Sequence, residues 1–184
     1  VKDGERRPLV LALHGAGGSE NLFFDGYGDG EVVRQCKARG WFCIAPRGQG
    51  FMGGADLPSL VETLAKSWPI DPSRVVMVGH SMGAAAAVAS AVKAPQRFRA
   101  VAPLGGGGTA RGTGLASLPF LVGVGTRDFA LQGARGLHER LTALGAPSTL
   151  REYPDVEHLA IVQVALPDVF AFFERSLEAQ PPGK

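Results

Sequence analysis

Arg74-Val75-Val76-Met77-Val78-Gly79-His80-Ser81-Met82-Gly83 is the stretch that decides the fold. Its first half, Arg74–Val78, is apolar and rich in β-branched residues, which predicts a buried strand. From Ser81 to Ala94 the chain carries Ala84-Ala85-Ala86-Ala87 and no Gly or Pro after Gly83, which predicts a helix. A serine on so sharp a strand-to-helix turn is lifted out of the sheet with its hydroxyl exposed. The flanking glycines let the backbone turn and let the helix approach the strand. A bare G-x-S-x-G pentapeptide is short enough to arise by chance. The strand, turn and helix expected around it make Ser81 a candidate nucleophile.

Outward from this turn, strand-like and helix-like runs alternate. Leu9–Leu13, Trp41–Ala45, Phe98–Leu104, Phe120–Val124 and Thr149–Tyr153 read as further strands. Val32–Arg39, Asp56–Ser67, about Gly133–Leu144 and Ala160–Glu178 read as helices, the last expected to kink or divide at Pro167. Such alternation implies an α/β fold, a mainly parallel sheet of about six strands with helices on both faces. Right-handed crossovers then bring the C-terminal ends of all strands to one edge, where sites in such sheets form. Neither an internal repeat nor an interdomain linker is visible. The expectation is a single domain over residues 1–184, with 178–184 as a flexible tail.

Composition narrows the function classes. The 184 residues are 45% hydrophobic, enough for one core. The net charge of +2 comes from scattered Lys and Arg, so a nucleic-acid footprint is absent. No apolar run reaches the roughly 18 residues needed to span a bilayer. Cys36 and Cys43 form neither a disulfide framework nor a metal site; two free thiols and a single bridge both stay open. The first residue is Val and a strand follows almost at once, the expectation for a processed, trimmed or excised domain. Any targeting signal would already be gone, leaving cytoplasmic and secreted or periplasmic locations open. Oligomeric state is equally open.

A serine hydroxyl needs a base within hydrogen-bond reach to act as a nucleophile at neutral pH. Four histidines are available. His14 ends a strand, His80 should point away from Ser81, and His138 falls among charged residues on a helix and is expected to be solvated. His158 follows the last strand, at the edge where Ser81 emerges, and is the candidate base. The base needs an acid that fixes its tautomer and stabilises the imidazolium. Asp128 directly follows a strand and reaches the same edge, whereas its rivals Asp155 and Glu157 are near neighbours of His158 that would cap or solvate the loop. Two backbone donors should then face the developing oxyanion. Met82 N–H, at a helix N-terminus, is one. The other is expected from His14-Gly15-Ala16-Gly17-Gly18-Ser19, with Ala16 first and Gly17 second. That glycine-rich loop lacks the Lys-Ser/Thr of a phosphate-binding loop and the full G-x-G-x-x-G spacing.

The runs LALHGAGGS, VGHSMGA and VGTRD, with the late His158, resemble the α/β-hydrolase superfamily of serine esterases. The likeness is to its compact bacterial members: the phospholipase/carboxylesterase, dienelactone-hydrolase-like and feruloyl-esterase or polyhydroxybutyrate-depolymerase-like groups. It extends from Leu9 to about Glu174 and includes Ile70-Asp71-Pro72-Ser73-Arg74. The resemblance implies a carboxylic ester hydrolase with Ser81 as nucleophile, Asp128 as acid, His158 as base, and Ala16 and Met82 as oxyanion donors. It implies no metal and no organic cofactor. Two departures stand out: the early antiparallel strands of the family are missing, and no insertion is long enough for a cap domain, so the site should be open and shallow.

Substrate contacts are expected from loops facing Ser81, namely Phe23, Phe24, Phe51, Met52, Gly105–Thr109 and Phe129. The substrate would be a small or polymer-linked ester, with no nucleic-acid partner. Arg47 and Arg127 are expected to be solvated or paired with nearby carboxylates. A peptidase, thioesterase or polyester depolymerase could use the same three side chains, and a non-catalytic binding module is the reading from a different class. A dehalogenase or epoxide hydrolase would want Asp at position 81.

Overall fold

The protein, seen in a computed structural model, is described over residues 4–47 and 56–179. Six parallel strands form one sheet: β1 (Arg7–Leu13), β2 (Phe42–Ile44), β3 (Ile70–His80), β4 (Ala100–Leu104), β5 (Phe120–Gly125) and β6 (Ser148–Tyr153). Their order across the sheet is β2-β1-β3-β4-β5-β6. The chain therefore steps outward from β1 to β2 and returns to the other side of β1 with β3. That reversal opens a crevice at the C-terminal ends of β1 and β3, the place where open α/β sheets bind ligands.

Alternation along the strands sorts two cores. Leu9, Leu11, Leu13, Val75, Met77, Val101, Phe120, Val122 and Val124 face one layer. That layer holds α2 (Leu57–Ser67), α3 (Met82–Lys93) and α4 (Leu131–Ala143). Val10, Ala12, Val76, Val78, Ala100, Ala102 and Leu104 face the other, which holds α1 (Glu31–Arg39) and α5 (Ile161–Glu178). Both faces of the central strands are thus covered, which is why they read as continuous apolar runs rather than alternating ones.

Two elements and one side chain differ from the sequence reading in more than their bounds. β3 begins at Ile70, before the expected Arg74, but pairing jumps from Arg7–Ile70 to Leu9–Val75. Asp71 Oδ1 accepts from Ser73 N at 2.9 Å and Ser73 Oγ at 2.6 Å, making a local turn inside the strand that carries Pro72 out of the ladder. α5 runs unbroken through Pro167. Pro167 and Gln163, whose carbonyl loses its partner, are both exposed, so water can satisfy that group. An interior proline costs about 3 kcal/mol. Burial of Ile161, Val162, Leu166, Val169, Phe170 and Phe173, at about 1.5–3 kcal/mol each, outweighs it. His138 is not simply solvated, since its Nδ1 lies 2.9 Å from Ser148 Oγ.

Cys36 and Cys43 are free thiols, and bonding to Cys43 together with burial pushes the Cys36 thiol far up. Residues 105–119, between β4 and β5, contain only the short 3₁₀ turn Thr113–Leu115, so nothing caps the sheet edge there. No helix among the described residues is long and apolar enough to cross a membrane.

Candidate active site

Ser81 joins β3 to α3 with φ 55° and ψ −114°, a left-handed backbone that a non-glycine residue holds only when its surroundings force it. Such strain amounts to about 1–3 kcal/mol. The forcing is steric. A Cβ on Gly79 would overlap Gly83 O, and one on Gly83 would overlap Leu13 O. Helix α3 can therefore sit this close to β1 and β3 only with glycine at both positions. Ser81 N donates to Leu104 O at 2.9 Å, and Ala84 N and Ala85 N donate to Ser81 O. The backbone turn is tied on both sides.

His158 lies on the loop between β6 and α5. Its Nε2 is 3.0 Å from Ser81 Oγ, and its Nδ1 is 2.9 and 3.0 Å from the two Asp128 oxygens. Asp128 follows β5 and is buried; its Oδ1 also accepts from Ala130 N at 2.8 Å. A carboxylate so placed accepts Nδ1–H from His158 and leaves Nε2 free to accept from Ser81 Oγ–H. The loop is tied to the end of β5: Arg127 N donates to Val156 O and Asp155 N donates to Thr126 Oγ1. Asp155 and Glu157 are exposed, and the ring's carboxylate partner is Asp128; Glu157 pairs with Arg127 at 3.3 Å, and Arg47 pairs with Glu20 at 3.0 Å.

The loop after β1 folds against the same point. Leu13 is in register with Gly79, so His14 and Gly15 emerge beside the serine. A Cβ on Gly15 would stand 3.2 Å from Ser81 Cβ and 3.3 Å from His80 Nδ1. Gly18 N donates to Gly15 O, closing a turn that leaves Ala16 and Gly17 exposed at the mouth. Met82 is the first residue of α3, and the first amides of a helix have no partner within it. Gly105 packs against Asp128 and His158, and Gly106 against Ser81 O, so this part of Gly105–Thr109 borders the site.

The expected aromatic contacts separate. Phe129 is 83% exposed, and its ring centroid is 4.2 Å from that of His158. Phe23 is corrected: it is fully buried in the core, edge-on to Tyr27 at 4.9 Å, and offers no surface to a substrate. Phe24 is half-buried on the same π-helical turn, Leu22–Gly26. Phe51 and Met52 lie outside the described residues. Leu159, 72% exposed, extends the apolar rim. It borders a cleft of about 410 Å³ lined by Leu22, Gly26, Tyr27, Leu159, Ala160 and Gln163. A larger cleft, about 530 Å³, lies at the opposite end of the sheet around Phe98, Pro119 and Ser176. Size alone would select the end of the sheet away from Ser81.

His80 is the residue the sequence reading passed over. It is 1% exposed, with Nδ1 2.7 Å from Tyr27 Oη and Nε2 2.9 Å from the His158 carbonyl. Burial pulls its pKa down to about 4 and pushes that of Tyr27 up to about 12.

The chain belongs to the alpha/beta hydrolase family, whose pattern it matches over residues 9–182. No curated protein sequence matches it. Among solved structures, it is similar to a thermostable esterase (TM-score 0.75, 20% identity), covering 95% of this chain and 56% of that one. It is also similar to S-formylglutathione hydrolase FrmB of Staphylococcus aureus (0.77, 13%), covering 92% and 82% of the two chains. A ferulic acid esterase (0.77, 16%) is covered over 86% of its length by 94% of this chain. The chain thus spans little more than half of the first of these proteins and most of the other two. Likeness at these identities shows a shared fold.

Proposed function

We propose that this hydrolase cleaves carboxylic esters through an acyl-enzyme formed on Ser81. The observation that carries the reading is the continuous bonded path from Asp128 through His158 Nδ1 and Nε2 to Ser81 Oγ. His158 takes the Oγ proton as Oγ bonds to the ester carbonyl carbon. Negative charge develops on the carbonyl oxygen, toward the amides of Met82 and Ala16, with Gly17 the second choice for the latter donor. His158 then gives its proton to the leaving alkoxide as that C–O bond breaks. A water deprotonated by His158 attacks the acyl carbon, and release of the acid restores Ser81. Asp128 stays ionised throughout and holds the imidazole in the required tautomer.

The apolar rim of Phe129 and Leu159 and the absence of a cap between β4 and β5 favour an ester with an apolar acyl or aryl group presented from an open surface. Hydrolysis of p-nitrophenyl esters from acetate to dodecanoate, with Ser81→Ala as the control, tests the proposal. Serine-dependent turnover with a chain-length optimum is expected, and Ser81→Ala should abolish it while the fold survives. Turnover of that variant at the wild-type rate would overturn the assignment. Rates on matched thioester, amide and polyester substrates then separate the esterase from the thioesterase, peptidase and depolymerase, because fold and triad do not set the leaving group.

A further inference from the structure

His158 must keep two hydrogen bonds in register while standing on a loop rather than on a strand or helix. We infer that Tyr27 and His80 form a buried strut that positions His158 by holding its backbone carbonyl. The inference rests on the catalytic reading of Ser81 and His158.

Hydrogen-bond polarity fixes the direction of the strut. The His158 carbonyl can only accept, so His80 Nε2 carries the proton at that 2.9 Å contact. In a neutral imidazole Nδ1 is then the acceptor, and Tyr27 Oη–H donates to it at 2.7 Å. Each bond thus selects the tautomer that the next one needs. The rings are packed to match: Phe23 lies edge-on to Tyr27, and Tyr27 edge-on to His80 at 5.3 Å. The His80 and His158 ring centroids are 4.8 Å apart. Phe23, expected to touch substrate, is the wedge behind this column.

The strand explains why residue 80 does this work. Side chains of Val76 and Val78 face the α1/α5 layer, and His80 continues that alternation toward Tyr27 and the loop before α5. Ser81 is the next residue. One strand end therefore sets both the nucleophile and the anchor of the base, and the distance between them is fixed across a single peptide. A cation in this position would oppose the imidazolium that forms on His158 during turnover. The titratable groups facing His80 are Tyr27, His158 and Asp128, and burial keeps its own ring neutral. Strut and base can then sit ring against ring without repulsion.

The test compares His80→Ala, His80→Gln and Tyr27→Phe with wild type on a p-nitrophenyl ester, with Ser81→Ala as blank. A shift of about 1 Å in a catalytic group lowers the rate roughly a hundredfold. His80→Ala should therefore lose about 10- to 100-fold in kcat with KM unchanged. His80→Gln keeps an amide donor near the Nε2 position and should recover most of that loss. Tyr27→Phe releases the tautomer and should fall between the two. In parallel, nitrogen-15 NMR should find His80 neutral and protonated at Nε2. The His158 Nδ1–H proton, sharp in wild type, should broaden in His80→Ala and Tyr27→Phe and sharpen again in His80→Gln. Wild-type kcat in folded His80→Ala overturns the strut, as does a rate loss that Gln does not restore. An Nδ1-protonated His80 in wild type overturns it even where the Ala variant fails to fold. Absence of Ser81-dependent turnover in wild type sinks the esterase reading instead, and the NMR arm still decides the strut.

Discussion

The turn that carries Ser81 is held by backbone packed on backbone, whereas the loop that carries His158 adds side-chain bonds to such packing of Val156 on Gly125. At the first, Gly79 and Gly83 bring α3 so near that any side chain would collide with Leu13 O or Gly83 O. At the second, Thr126 Oγ1 accepts from the Asp155 amide and His80 Nε2–H donates to the His158 carbonyl. Steric support of the first kind is rigid and leaves a short, readable sequence signature. Support of the second kind uses ordinary residues far apart in the chain and leaves none. The two regions nonetheless meet within 3.0 Å at the serine hydroxyl.

Breaking either side of that meeting should give different signatures. The largest effect is expected from Asp128→Asn. The amide NH₂ would donate to His158 Nδ1, move the ring proton to Nε2 and leave Ser81 Oγ without an acceptor. Single-turnover kinetics should register a loss on the order of 10⁴-fold in kcat with little change in thermal stability. A loss below tenfold would detach Asp128 from the mechanism.

Gly83→Ala attacks the backbone-held side. The new methyl overlaps Leu13 O and cannot be relieved by a rotamer change, so destabilisation of about 3 kcal/mol or more is expected in urea unfolding. A near-neutral result would mean that α3 can slide along the sheet without harm.

Acid probes the other side through His80. Its ordinary pKa of 6.5 falls to about 4 on folding, so between those values the unfolded chain binds the proton that the folded chain refuses. Stability from this group is complete above about pH 6.5 and declines as pH falls toward about 4. At about 1.4 kcal/mol per unit, the decline amounts to about 3 kcal/mol. Urea midpoints at pH 7 and 4.5 should show it, and His80→Gln should flatten the acid limb. An equally steep limb in that variant would assign the effect elsewhere.

The smallest effect is expected at the rim. Phe129 is mostly exposed, so Phe129→Ala should change stability by no more than about 0.5 kcal/mol. Its cost should appear in kcat/KM, and more for aryl or long acyl esters than for acetate. Equal loss on every ester would make Phe129 a support for the His158 ring rather than a substrate contact.

Much of the fold was legible because its signals are local. The apolar runs of β1, β3, β4 and β5, the alanine-rich helix α3 and the glycines around Ser81 each express one element within a few residues. Where local reading missed, a distant group had won. Packing of six buried side chains carried α5 through Pro167, and pairing of Ile70 with Arg7 started β3 ahead of the Asp71–Ser73 turn. Phe23 and Phe24 look alike in sequence, yet burial against Tyr27 takes Phe23 away from the surface.

By itself, then, the sequence determined the alternating α/β architecture and the strand–turn–helix that exposes Ser81, because strand and helix periodicity and glycine spacing act between near neighbours. It also nominated His158 and Asp128, since both follow strands and so come to one edge of a parallel sheet. Only the tertiary structure decided that β3 returns beside β1, opening the crevice at that switch point. Only there does His80 meet Tyr27 on one side and the His158 carbonyl on the other. Hydrogen bonds between residues 27, 80 and 158 depend on the close approach of three segments that no local pattern encodes. That is why an adjacent histidine read as a bystander proves to be the contact between the strand that ends at Ser81 and the loop that carries His158.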